Sequence, residues 1–215
     1  MEEMVSTIFQ PAKNAKATII FSHGAGADKQ SEFIGNVSQQ LVQHQINVLR
    51  FNFPYMDKRA QDGKRRPPDR MPKLLDCLNS VITRYCAEGN TSVPLFLMGK
   101  SMGGRVAATY AKTESGKISG VICLGYPFHP QKKPEKLRLE PLQDIVKPVL
   151  VVQGDRDALG NKTEIENYSL SRYCQLNFLA DGDHDLKPRV KSGYTHQQHI
   201  HSAVELINRF IDEYR

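Results

Sequence analysis

Tryptophan is absent from the 215-residue sequence and cysteine is scarce. The four cysteines, Cys77, Cys86, Cys123 and Cys174, form no C-x-x-C pair and no metal-ligand spacing. That argues against a disulfide framework or a zinc site and leaves buried, reduced thiols as the expectation. No run approaches the ~18 apolar residues of a membrane span. The first residues, Met1-Glu2-Glu3-Met4, lack the basic n-region and apolar core of a secretory leader. A cytoplasmic location is therefore expected. There is no internal repeat, and neither G-x-x-x-x-G-K-[ST] nor G-x-G-x-x-G occurs, which weakens any reading as a phosphate-binding glycine loop. Charge of one sign is only mildly in excess: Lys and Arg number 29 against 23 Asp and Glu, a formal +6. Such a balance favours anionic partners without marking a specific nucleic-acid binder.

What is present is an ordinary globular composition, 40% hydrophobic and 24% charged. A chain this long removes roughly 70% of its unfolded surface from water, enough for a full core, and a single domain over residues 1–215 is expected. Short apolar runs alternate with longer amphipathic stretches throughout. Strands are expected at 5–9, 17–22, 47–52, 94–98, 118–124, 149–153 and 175–179, and helices at 31–45, 72–87, 102–113, 162–170 and 197–214. Several strands ("TIIF", "FLM", "VLVV") are apolar at consecutive positions, as in strands covered on both faces of a parallel sheet. The expected class is α/β: a doubly wound, mostly parallel sheet of about seven strands with helices on both faces. Two long stretches, 53–71 and 125–141, read as irregular.

The most informative segment is "VPLFLMGKSMGGRVAATY". Gly99-Lys100-Ser101-Met102-Gly103 fits G-x-S-x-G, directly after an apolar strand and directly before an Ala-rich helix. On such a turn the serine is lifted above the sheet, while the small residues two positions either side let neighbouring chain pass close. Ser101 is the candidate nucleophile; the bland alternative is a glycine-rich turn used only for packing. A serine hydroxyl needs a base, and the base needs orienting. In this architecture the partners follow in the order acid, then histidine, at later strand ends. Gly154-Asp155-Arg156-Asp157 follows one late strand and Asp181-Gly182-Asp183-His184 the next. Both clusters fall at the sheet edge that carries Ser101, where open α/β sheets bind ligands. His184 is the expected base. Asp157 is the preferred acid, with Asp155 as the alternative, while Asp183 and Asp185 read as turn residues.

Of the other histidines, His44, His196, His199 and His201 read as helix-surface residues and His23 as a loop-shaping one. His129 and Tyr126 are candidate substrate contacts. Two N–H groups are needed for a developing oxyanion. Met102, directly after the nucleophile, supplies one; the loop Ser22-His23-Gly24-Ala25-Gly26 supplies the other, with Ala25 preferred and Gly24 next.

The blocks "FSHGAGAD", "LRFNFPYMDKR", "LMGKSMGGRVAA", "CLGYPFHPQKKPEKLR", "VQGDRDALG" and "ADGDHDLKP" together resemble the small, lid-less α/β-hydrolases of the dienelactone-hydrolase-like family, a group that includes the testis-expressed-thirty protein and a subunit of the NSL chromatin complex. The resemblance runs from about residue 17 to 210. It implies an α/β-hydrolase fold without a cap domain and a triad of Ser101, Asp157 and His184; acyl transfer through those residues would require no metal or organic cofactor. It implies no particular substrate, and some members of the family serve as interaction domains.

Two functions follow as expectations. The first is a serine hydrolase of small esters or thioesters, acting through an acyl-enzyme. The second is an idle hydrolase-like module that binds an acidic protein or nucleic acid through a basic rim. Residues 57–73 hold seven basic side chains, Arg65 and Arg66 among them, against Asp57, Asp62 and Asp69. That surplus makes Arg65 and Arg66 candidate contacts for an anionic substrate.

Overall fold

The computed structural model describes residues 5–89, 92–113 and 116–215. The acidic start, residues 1–4, lies outside the described residues. Seven strands form one sheet: β1 (Thr7–Gln10), β2 (Ala17–Ser22), β3 (Ile46–Phe51), β4 (Leu95–Lys100), β5 (Gly120–Leu124), β6 (Val149–Gly154) and β7 (Cys174–Leu179). Their order is β1-β3-β2-β4-β5-β6-β7, and every pair is parallel except the edge pair β1–β3. The helices are α1 (Glu32–Gln43), α2 (Pro54–Asp62), α3 (Met71–Ala87), α4 (Met102–Thr113), α5 (Glu140–Gln143), α6 (Lys162–Ile165) and α7 (His196–Tyr214). No inserted cap domain interrupts the described elements.

The consecutive apolar residues of the central strands feed two cores. Ile20, Leu97, Val121, Cys123 and Val151 face one side, where α3 and α4 cover them with Leu78, Val81, Val106 and Ala107. Ile19, Phe21, Met98, Ile122 and Val152 face the other, where α1 and α7 supply Ile34, Leu41, Val204, Ile207 and Phe210. Each large aliphatic side chain so buried contributes about 1.5–3 kcal/mol. Successive side chains of a strand point to opposite faces, so an unbroken apolar run is what this sandwich requires.

Three expectations need correction. The stretch 53–71 is not wholly irregular: Pro54 at the helix start and Gly63 at φ 71 just past its end delimit α2. Only Tyr55 and Met56 of α2 are buried, so no 3.6-residue apolar period marks it. The helix expected over 162–170 closes at Ile165 after a capping box between Asn161 and Glu164. His199 is not a surface residue. It sits on the inward stripe of α7 beside Ile200 and Ala203, and its Nδ1–H donates to the Leu186 carbonyl at 2.8 Å.

Parallel pairing brings the C-terminal ends of β2, β4, β5, β6 and β7 to one edge. The segments that follow β4, β6 and β7 there carry Ser101, Asp157 and His184.

Candidate active site

Ser101 occupies the turn between β4 and α4 with φ 53, a left-handed backbone that is strained for any residue but glycine. Two backbone bonds hold it: its N–H donates to Leu124 O at 2.9 Å, and its carbonyl accepts from Arg105 N–H at 3.2 Å. The flanking glycines are sterically required. A methyl carbon on Gly99 would stand 2.0 Å from the Gly103 carbonyl carbon, and one on Gly103 would stand 2.5 Å from Ser22 O.

The loop after β7 brings His184 over this turn. Its Nε2 lies 2.8 Å from Ser101 Oγ and accepts that hydroxyl's hydrogen; its Nδ1–H donates to Asp157 Oδ2, also at 2.8 Å. In a neutral ring these two partners select the tautomer that carries its hydrogen on Nδ1. Asp157 is fully buried, whereas the His184 side chain keeps a quarter of its surface exposed, so the pair is dry on one side and open to a ligand on the other. The Asp157 carboxylate also accepts from Leu159 N–H and from the Gln153 amide, each at 2.8 Å. Asp155, the alternative acid, spends its backbone on Leu179 and Lys162, and the carboxylate that meets His184 is that of Asp157. Gly154 sets the two loops together: a methyl carbon there would lie 2.3 Å from both the Asp183 and Gly182 carbonyl oxygens.

The loop after β2 completes the edge. Gly24 packs against the nucleophile turn, where a methyl carbon would lie 3.5 Å from Ser101 Cβ. His23 is buried; its Nδ1–H donates to Gly24 O at 2.7 Å while its Nε2 accepts Phe53 N–H at 3.0 Å. Burial lowers its pKa to about 4, which keeps the ring neutral. Tyr55 adds a second tie, its hydroxyl donating to Ala25 O at 3.0 Å. Met102 opens α4, so its N–H has no acceptor within the helix.

A model of the alpha/beta hydrolase domain matches residues 15–212. The chain belongs to the alpha/beta hydrolase family. Solved structures resemble this hydrolase-family chain over nearly its whole length. Dienelactone hydrolase from Anabaena variabilis superposes with a TM-score of 0.77 at 18% identity, covering 99% of this chain and 93% of its own. Est1E from Butyrivibrio proteoclasticus with ferulic acid bound gives 0.72 at 17% identity, covering 98% and 95%. An α/β serine hydrolase without a lid from Xanthomonas campestris gives 0.68 at 18% identity, covering 94% and 89%. At such identities these likenesses describe the fold.

Two candidate substrate contacts do not offer a surface to the cleft of this alpha/beta hydrolase. Tyr126 is fully buried and donates its hydroxyl to Arg138 O at 2.9 Å, and His129 is 3% exposed against Pro130 O and Glu164. Both pack their own loop, because the aromatic run Tyr126–Phe128 folds back into the core beside Tyr168. Arg65 is exposed between α2 and α3, and Arg66 pairs with Asp62. Asp69, at the end of that loop, accepts Tyr55 N–H at 3.0 Å and so links it to the Ala25 segment. Gln153 and Tyr55 escape the sequence reading; the one signal for Gln153 is a polar residue closing an otherwise apolar strand.

A cleft of about 560 Å³ is lined by Gly24, Phe33, Lys100, Asp185, Lys187 and His196 among others, so it reaches the residues next to Ser101 and His184 in the chain. A larger groove of about 820 Å³ lies between α2 and α3, bordered by Lys29, Asp57 and Arg84. Neither lining includes Ser101, His184 or Asp157; the smaller cleft adjoins two of them through their chain neighbours Lys100 and Asp185, and the larger groove through none. Among the described residues no helix is long and apolar enough to cross a membrane.

Proposed function

We propose that the chain is a serine hydrolase that cleaves small ester or thioester substrates through an acyl-enzyme, with Ser101 as nucleophile, His184 as base and Asp157 as its orienting acid. The observation that carries this reading is the pair of 2.8 Å hydrogen bonds running Ser101–His184–Asp157. As Ser101 Oγ attacks the substrate carbonyl carbon, His184 Nε2 takes its proton. Buried Asp157 holds the tautomer and stabilises the imidazolium. Collapse of the tetrahedral intermediate expels the alcohol or thiol, which takes the proton back from His184. Water then gives a proton to His184 and attacks the acyl carbon; the second tetrahedral intermediate collapses, Ser101 Oγ leaves with the proton returned by His184, and the acid is released.

The negative oxygen of each tetrahedral intermediate needs donors. Met102 N–H, at the first position of α4, has no acceptor within the helix. For Ala25 the support comes from peptide planarity: His23 engages Gly24 O, so across the trans peptide the Ala25 N–H points the opposite way. Each such donor contributes roughly 3 kcal/mol in comparable sites. Every step uses only these groups and water. A cleft of about 560 Å³ that reaches Lys100, next to Ser101, gives room for small acyl compounds, and the basic segment holding Arg65 and Arg66 favours anionic ones.

Labelling with a fluorophosphonate probe tests the reading. The wild-type protein should be labelled on Ser101 and the Ser101→Ala protein not at all. A folded wild type that stays unlabelled would overturn the assignment and leave the binding-module function in its place.

A further inference from the structure

The residue between Gly99 and the nucleophile is a lysine, and it is buried: Lys100 is 7% exposed. An ammonium does not enter a protein interior without partners, and here both hydrogen-bond acceptors belong to the loop that carries His184. Lys100 Nζ donates to the His184 carbonyl at 2.8 Å and to the Asp185 carboxylate at 3.1 Å, with the Phe33 ring centroid 5.9 Å away. Gly125, at φ 63, makes room for this contact; a methyl carbon there would lie 2.6 Å from the His184 oxygen and 3.3 Å from Lys100 Nζ. The next two carbonyls are held in the same manner. His196 Nε2–H donates to Asp185 O at 2.9 Å and His199 Nδ1–H to Leu186 O at 2.8 Å. Three successive carbonyls, 184 to 186, are thus each bound by a long or aromatic side chain from another element.

Building on the acyl-transfer reading above, we propose that Lys100 is a positioning residue for the base: its ammonium clamps the His184 backbone from the position adjacent to the nucleophile, so that the imidazole stays in line with both Ser101 Oγ and Asp157. The clamp is short because it starts one residue before Ser101 and ends on the base itself. Lys100 shares its surroundings with the charges of Asp185, Asp157 and Asp183, and the Asp185 side of the cluster with His184 and His196. Burial draws the ammonium below its usual pKa, and the facing Asp185 opposes that.

Proton NMR of the full chain reads the clamp directly, through the downfield Nδ1–H resonance of His184 against Asp157. In Lys100→Met that resonance should be lost to solvent exchange, and the maximal rate of fluorophosphonate inactivation should fall about ten- to a hundredfold at unchanged probe affinity. Lys100→Arg, which keeps a cation and its donors, should restore most of both. Lys100→Gln, with its nitrogen one bond nearer the backbone, should lose the resonance as Lys100→Met does and serves if that variant does not fold. An undiminished resonance in a folded Met or Gln variant overturns the proposal, whatever its activity. A wild type that ignores the probe while Lys100→Met still loses the resonance would sink the acyl-transfer reading and leave the clamp standing.

Discussion

Gln153 Nε2 donates at 2.8 Å to Asp157 Oδ2, the same oxygen that receives the His184 Nδ1–H. The amide is fully buried and also reaches Tyr126 O and Gly160 O at 3.1 Å. It therefore ties the acid to two loops at once. Gln153→Met would strip these acceptors of their donor inside the core, at about 1–3 kcal/mol of stability. Turnover of a p-nitrophenyl ester should fall about tenfold. Gln153→Glu sets a second carboxylate against Asp157 and should fall further. Steady-state kinetics beside urea unfolding checks both, and wild-type values in Gln153→Met would make the contact idle.

The glycines of the nucleophile turn make a graded prediction. Gly99→Ala forces a methyl carbon to 2.0 Å from backbone, and backbone cannot rotate aside. Gly26, in the loop after β2, has nothing within 4 Å of the same position. Thermal melting should show Gly99→Ala destabilised by about 3 kcal/mol or more and Gly26→Ala within about 0.5 kcal/mol of wild type. Equal melting of the two variants would contradict the packing described for the turn.

His23 carries a pH dependence whose sign is fixed. Its folded pKa of about 4 lies below the ordinary 6.5, so between those values the unfolded chain binds the proton that the folded chain refuses. Its contribution is complete above about pH 6.5 and is lost as pH falls toward 4, to a total of about 3 kcal/mol. Denaturant midpoints of wild type and His23→Gln, taken from pH 7.5 to 4.5, should converge as pH drops. Parallel curves would show that His23 is not the group responsible.

If the basic segment steers anionic esters, Arg65→Glu with Arg66→Glu should lower kcat/KM for an anionic ester but not for a neutral one. The variant should also respond less to added salt, since exposed charges act through a Debye length of about 10 Å at 0.1 M. An identical salt profile in both proteins would remove steering from the account.

The central strands and the serine turn were legible because their physics is local. A buried parallel strand must be apolar on both faces, and a G-x-S-x-G turn must have small residues where Gly99 and Gly103 meet backbone. What escaped depends on contacts distant in sequence. Helix α2 buries only Tyr55 and Met56, too little to create a period, although Pro54 and Gly63 bracket it. Tyr126 and His129 look like cleft residues until the chain is seen to fold inward over Gly160, where a methyl carbon would stand 2.8 Å from the Phe128 ring. His199 looks like one polar residue among several, yet it lies on the same stripe as Ile200 and Ala203. Asp155 and Asp157 differ by two positions, and the carboxylate that meets Gln153 and His184 is that of Asp157.

His184 follows β7, an edge strand of the sheet, whose residues are half-buried except Leu179. Segments with little buried apolar contact open first in native-state fluctuations. Ser101 is pinned between β4 and β5 in the middle of the sheet, and His184, 83 residues further along the chain, is tied back to it through Lys100. Fraying of that edge strand therefore has to break the Lys100 contact before the serine loses its partner, which joins the serine's reactivity to the hold of one lysine on the sheet's last loop.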